Sequence, residues 1–255
     1  MLLAVDIGNT AVKLGLFDGK ELRTTFHLST HVSQMPDEYA VIILTLLRQH
    51  DIEISNIKEG AISCVVPPLL GVFHELFERY FNIKPLTVGA GLKTGVRIRF
   101  DNPREIGHDR ISNTVGALSL YKAPLIVVSL GTATVFDTIS KDEEYLGGAV
   151  APGISIAAEA LYARTAALPR VELLRPKKAI GTNTVAAMQS GIIFGYAGLI
   201  DGVVTRIQEE LGQKAKVVAT GGYANVIARE TKTIDEVNPN LTLLGIKIIH
   251  SLNRE

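Results

Sequence analysis

The chain has 255 residues, enough for one large domain or two of ordinary size. At 47% hydrophobic and 20% charged residues it has the composition of a globular protein, which excludes a disordered or fibrous class. Its 26 basic and 26 acidic side chains balance, so no overall field draws it to nucleic acid or an anionic membrane, and any acidic ligand must be held by local groups.

The first element is an apolar run from Leu2 to Val5 that reaches Asp6, then Gly8-Asn9-Thr10, and continues as a second alternating run from Val12 to Phe17. Runs of this length bounded by turn residues predict two strands joined by a tight turn. A plain hairpin with a solvated Asp would satisfy the pattern, but this turn carries a carboxylate, a glycine, an amide and a hydroxyl together. Gly8 lets the backbone approach a ligand closely, and successive turn N–H groups can form an anion-binding concavity. Because Asp6 would repel a bare phosphate, its presence suggests an intervening hydrated Mg²⁺. The turn therefore reads as a nucleotide-phosphate site that lacks the lysine and following helix of a P-loop.

Leu22 to Leu28 alternates well enough for a third strand. A helix is predicted from Pro36 to about His50, a strand from Gly60 to Val65, an amphipathic segment from Leu69 to Phe81, and a short strand from Leu86 to Val88. The single Cys64 sits in a buried-looking strand, which excludes an intrachain disulfide framework and fits a reducing compartment. With no charged region before the first apolar run and no stretch of eighteen apolar residues, the expectation is a soluble, cytoplasmic protein.

Asn102-Pro103 looks like a helix cap followed by proline at the first position, predicting a helix to about Tyr121 with Gly107, His108, Asp109 and Arg110 in its early turns. Asp109 can simply complement the helix dipole. The functional alternative is an acid–base carboxylate beside Arg110, whose planar fork suits a substrate carboxylate. From Leu125 to Asp137 the opening theme returns: an apolar strand, the turn Gly131-Thr132-Ala133-Thr134, and another alternating strand. Aligning Gly8 with Gly131 sets Ser129 opposite Asp6. Two such hairpins suggest two related domains facing one another across a cleft.

After Gly147-Gly148, read as a turn, a helix is predicted from Ile154 to Arg164, a basic loop from Ala166 to Asn183, and a long helix from Thr184 to Leu211. That helix carries Gly191, Gly195, Gly198 and Gly202 on one face. Glycine costs about 1 kcal/mol per helical site against alanine, so the stripe calls for close packing by another backbone. Packing within the chain is the default and a seam between two copies the alternative. Val217 to Ala219 reads as a strand ending in the turn Thr220-Gly221-Gly222, and Leu243 to Leu252 as the terminal helix.

The segments Asp6-Ile-Gly-Asn-Thr10, Gly107-His-Asp-Arg110, Gly131-Thr-Ala-Thr134, Tyr145-Leu-Gly-Gly-Ala-Val-Ala-Pro-Gly153, Leu168-Pro169, Gly181-Thr-Asn-Thr184 and Gly221-Gly222 resemble, in order, those of type III pantothenate kinases, over essentially the whole chain. The resemblance implies an α/β fold of two ribonuclease-H-like domains of the actin, sugar-kinase and heat-shock ATPase superfamily, here at 1–117 and 118–255, with the active site in the interdomain cleft. It implies ATP-dependent phosphorylation of pantothenate, the first step toward coenzyme A, and a homodimer. Asp109 would be the general base. Asp6, Gly8, Asn9, Thr10, Lys13, Thr132, Gly221 and Gly222 would hold ATP, with Mg²⁺ at Asp6. Phe100, Gly107, His108, Arg110 and Thr184 would contact pantothenate.

Three residues depart from the family pattern. Ser129 stands where an Asp usually binds a monovalent cation, K⁺ or NH₄⁺, so a hydroxyl replaces an anionic ligand there. His108 replaces a small residue beside the base, and Phe100 replaces a tyrosine of the substrate pocket. They motivate an alternative reading, a kinase-fold homologue that binds a ligand or partner with weak or no catalysis.

Overall fold

A computed structural model describes residues 1–254, which divide into two compact units. The first unit comprises 1–95, 102–116 and 241–255. Its strands β1 (Leu2–Ile7), β2 (Ala11–Asp18) and β3 (Glu21–Ser29) form an antiparallel meander. β4 (Glu59–Cys64) pairs parallel with β1, and β5 (Leu86–Thr87) parallel with β4, giving the order β3-β2-β1-β4-β5.

Alternation along β1 decides what faces what. Leu3, Val5 and Ile7 enter a core with Tyr39, Ile43 and Leu47 of helix α1 (Pro36–Gln49) and Leu69, Phe73 and Leu76 of helix α2 (Pro67–Leu76). Asp6, one residue out of phase, is thereby set on the opposite face of the sheet. That face is met by helix α7 (Leu241–Leu252), which packs on β1, β2 and β4. Helix α3 (His108–Leu118) crosses α7 at very short range. A Cβ at Gly116 would collide with the Leu241 carbonyl, and one at Gly245 with the Ser112 carbonyl. The buried Thr242 Oγ1 donates to Asn113 Oδ1 at 2.7 Å across the same crossing.

The second unit comprises 96–101 and 117–240. Strands β7 (Leu125–Leu130), β8 (Ala133–Ile139) and β9 (Glu144–Pro152) form a second antiparallel meander, with β10 (Lys216–Thr220) parallel to β7 and β11 (Glu236–Val237) parallel to β10. The short β6 (Arg97–Ile98) adds to the outer edge of β9. Apart from that strand the order, β11-β10-β7-β8-β9, repeats the plan of the first unit, as the duplicated hairpin predicts. Helices α4 (Ile154–Ala163), α5 (Thr184–Leu211) and α6 (Ala224–Ile227) complete the unit. By length and composition α5 could cross a bilayer, but Ile192, Ile193, Tyr196, Ile200 and Val204 join the second unit's core.

Four features differ from the sequence reading. The terminal helix returns to the first sheet instead of closing the second half, because its partners are β1, β2 and β4, while 96–101 leaves the first half to pair with β9. Asn102 caps only a single 3-10 turn, Pro103–Glu105, and α3 starts afresh at His108. Gly147 and Gly148 form no turn but lie inside β9. There a Cβ at Gly148 would overlap the Phe136 carbonyl, and Gly147 has φ +108° beside a register shift. Lastly, among the described residues no backbone packs on the α5 stripe: a Cβ at Gly191, Gly195 or Gly198 would meet nothing within 4 Å.

Candidate active site

In the first unit Asp6 is the penultimate residue of β1, with Lys13 of β2 and Ser63 of β4 as its register partners. It is only 8% exposed, and burial pushes its carboxyl up to about 7; Lys13 opposes that rise and Asp109 adds to it. Asp109 is thus within electrostatic reach of Asp6. The turn after β1 is braced from below: Gly8 N–H donates to the Ala11 carbonyl at 3.1 Å, and Thr30 Oγ1 donates to the Gly8 carbonyl at 2.6 Å. Thr30 N–H also donates to the Thr10 carbonyl at 3.1 Å. Asn9 and Thr10 are left exposed at the tip.

Asp109 lies in the first turn of α3, where the Gly107 carbonyl accepts the N–H groups of Arg110 at 3.0 Å and Ile111 at 3.3 Å. A Cβ at Gly107 would sit 2.5 Å from Asp109 Oδ1. Glycine is needed there so that the carboxylate can fold back over the helix start. His108 turns toward the sheet edge, its Nε2 3.8 Å from where a Gly89 Cβ would be. The first unit therefore collects Asp6, Gly8, Lys13, Gly107, His108, Asp109 and Arg110 around one end of its sheet.

In the second unit the equivalent turn is built from closer approaches. Gly131 N–H donates to the Ala133 carbonyl at 3.0 Å, and Gly153 N–H to the Thr132 carbonyl at 3.1 Å. A Cβ at Gly153 would collide with the carbonyls of Gly131 and Thr132. Gly221, at φ +98°, would bring a Cβ to 2.5 Å from the Leu130 carbonyl oxygen. These glycines bring Gly153 against the Gly131-Thr132 turn and Gly221 against Leu130, the residue that precedes it. Ser129 is the penultimate residue of β7 and half-buried, with Thr220 of β10 as its register partner.

Phe100 and Thr184 do not meet. Phe100 packs against Gly147 and, with ring centroids 6.3 Å apart, against Tyr145. Thr184 opens α5, where Asn183 Oδ1 accepts the Ala186 N–H at 2.9 Å, and lines an apolar groove of about 930 Å³ with Leu161, Leu168, Gly191, Gly195 and Tyr196, of which Phe100 forms no part. The basic loop before α5 is tied down rather than free. Arg170 forks onto Glu159 at 2.7 and 3.2 Å, and Ser190 Oγ donates to the Ala179 carbonyl at 2.6 Å.

Three residues at these two turns escaped the sequence reading as site candidates: Ser63, Gly153 and Thr220. The signal for Gly153 was its place two residues after the last apolar residue of a strand; for the hydroxyls it was only their position at strand ends. Among the described residues no three of His, Cys, Asp and Glu gather into a protein-only metal site. A lone buried carboxylate beside a phosphate-type turn fits Mg²⁺, which is commonly held by one or two carboxylates plus nucleotide oxygens.

The sequence profile of the family described as type III pantothenate kinase matches residues 2–206. A protein of Dehalococcoides mccartyi (strain CBDB1) named type III pantothenate kinase is 52% identical over 253 residues, 99% of this chain and 96% of its own length. Among solved structures, one from Campylobacter jejuni titled as a Baf-family transcriptional activator superposes with a TM-score of 0.60 at 20% identity, covering 98% of each chain. A ROK-family glucokinase of Streptomyces griseus superposes at 0.51 and 11% identity, covering 98% of this chain and 99% of its own. At those identities the likeness is one of fold, that of the sugar-kinase class.

Proposed function

Because the chain belongs to the type III pantothenate kinase family, we propose that it transfers the γ-phosphoryl group of ATP to the primary hydroxyl of pantothenate, giving 4'-phosphopantothenate, the first step toward coenzyme A. One observation carries the assignment of roles: Asp6 and Asp109, from distant parts of the sequence, feel each other's charge at one end of the first sheet.

A primary alcohol is a weak nucleophile, and phosphoryl transfer asks mainly for positioning and charge stabilisation. Asp109, held over the start of α3 by the absence of a side chain at Gly107, takes the hydroxyl proton as phosphorus is attacked. Arg110 and His108 flank it, and Arg110 suits the substrate carboxylate. Asp6 would hold Mg²⁺, which would supply charge neutralisation at the phosphates, while the N–H groups and side chains of Gly8, Asn9 and Thr10, with Lys13, would receive phosphate oxygens. In the second unit Thr132 and the Gly221-Gly222 turn serve the nucleotide, and Phe100 and Thr184 serve pantothenate. Ser129 offers a neutral oxygen to K⁺ or NH₄⁺, a weaker ligand for a hard cation than a carboxylate.

The exposed glycine stripe of α5 and the apolar groove beside it, with Ile156 and Leu161 at 48% and 39% exposure, support a homodimer built on this face. A cytoplasmic location follows from the use of ATP. ADP release coupled to an optical readout, with and without pantothenate and with K⁺, NH₄⁺ or neither, tests the activity. Turnover no faster than the pantothenate-free rate under every cation would refute it.

A further inference from the structure

Among the described residues the hydroxyls of Ser63, Thr134 and Thr220 are buried and make no hydrogen bond. An unpaired buried hydroxyl is costly and uncommon, and each one asks for an explanation. These three are not scattered. Thr134 follows the Gly131-Thr132 turn, Thr220 is the register partner of Ser129, and Ser63 is the register partner of Asp6.

The duplication sharpens the pattern. In each unit the first strand of the meander runs parallel to the next strand in the sheet, β1 with β4 and β7 with β10. In each, the penultimate residue of the first strand, Asp6 or Ser129, is matched across the register by a hydroxyl residue, Ser63 or Thr220. Both hydroxyls are at most 1% exposed and both lack a partner. Register partners on parallel strands project to the same face, so Ser63 shares the face of Asp6.

We propose that Ser63 is a positioning residue for the cation–nucleotide site at Asp6: its hydroxyl takes up, through a water of the divalent ion's hydration shell, the hydrogen bond that no protein group supplies. The inference rests on the kinase reading for the identity of the ligand. Mg²⁺ usually keeps several waters, and those waters need acceptors and donors around the coordinating carboxylate. Ser63 would hold one of them and so fix which way the Asp6 carboxylate presents itself.

The test uses the full chain, Mn²⁺ as the ion and ADP as the nucleotide, with free Mn²⁺ read by electron paramagnetic resonance, and thermal unfolding measured separately in chelator. Ser63→Ala is expected to weaken ADP-dependent Mn²⁺ binding about tenfold, the size of a hydrogen bond to a charged centre. Its unfolding temperature in chelator should match or exceed that of the unmodified chain, because an unsatisfied buried hydroxyl has been removed. Ser63→Cys, which keeps the volume with a poor donor, should weaken Mn²⁺ in the same direction and guards against a packing failure in the alanine variant. Unchanged Mn²⁺ affinity in both variants overturns the proposal, and a fall in unfolding temperature without a change in affinity assigns Ser63 to the fold instead. Unmodified chain that binds Mn²⁺ with ADP yet never phosphorylates pantothenate refutes the kinase reading while leaving Ser63 in its role; failure to bind Mn²⁺ with ADP overturns both.

Discussion

Replacing Asp6 with Asn separates its two roles, as an ion ligand and as a buried acid. In the ion-free chain burial holds the Asp6 carboxyl at about 7 against an ordinary 3.8. At 1.36 kcal/mol per tenfold, that difference is worth about 4 kcal/mol at saturation. The sign follows from proton binding: the folded chain holds this proton more tightly than the unfolded one. The contribution to stability is therefore fully present below about pH 4, declines as pH rises, and is gone above about pH 7. Between pH 5 and pH 8 the unmodified chain should lose about 2–3 kcal/mol from this group alone. Asn cannot ionise, so Asp6→Asn should lack that part of the slope, while His27 and His250, both held below the usual histidine range chiefly by burial, titrate alike in the two proteins. Urea unfolding in chelator at a series of pH values reads the difference between the two curves. Added Mg²⁺ and ATP should flatten the profile of the unmodified chain and leave the variant unmoved, with phosphorylation lost at least about a hundredfold. Parallel stability curves for the two proteins would refute the burial of an uncompensated carboxyl at this position.

Gly107→Ala must push Asp109 Oδ1 away from a Cβ only 2.5 Å distant, so kcat should fall about 10²-fold, approaching the loss caused by Asp109→Asn, with the unfolding temperature little changed. Gly221→Ala combines a left-handed backbone with a clash at Leu130; it should cost at least about 1–2 kcal/mol in urea unfolding and raise the KM for ATP. Gly195→Arg places charge on the open stripe of α5, where a Cβ meets nothing within 4 Å, and should shift sedimentation from dimer to monomer without unfolding the chain. Ser129→Asp should steepen the dependence of activity on K⁺ concentration, and an unchanged K⁺ profile would show that position 129 binds no cation.

The elements that the sequence disclosed are those whose ends are written in local chemistry. Helix α5 was bounded correctly because Asn183 caps one end and Gly212, at φ +64°, closes the other. The opening turn was legible because a carboxylate and a glycine interrupt an apolar strand, a local conflict with simple packing. Tertiary approaches were not legible. Gly147-Gly148 carries a turn signal, yet its glycines serve the passage of β9 against Phe136 and Phe100. The apolar periodicity of α7 fits either sheet, and only the Gly116 and Gly245 crossing reveals which one it covers. Of the two readings of the α5 stripe, packing within the chain is not what the described residues show, and the seam between two copies stays open. Ser63 and Thr220 look like ordinary strand residues until burial and the missing partner are seen together.

The two equivalent turns differ in the charge around them. Around the first turn stand Asp6, Lys13, Asp109 and Arg110; around the second stand Ser129, Thr132, Thr134 and Thr220, all neutral. A buried carboxylate is destabilising unless a cation accompanies it, and burial, opposed by Lys13, pushes the Asp6 carboxyl up to about 7. A half that holds an uncharged nucleoside or substrate surface is better served by hydroxyls, backbone and the close approaches that Gly131, Gly153 and Gly221 allow. Ser129 is in keeping with Thr132, Thr134 and Thr220 around it. In the proposed reaction the charge for phosphoryl transfer would come from the first copy, where Asp6 and Asp109 lie within electrostatic reach of each other.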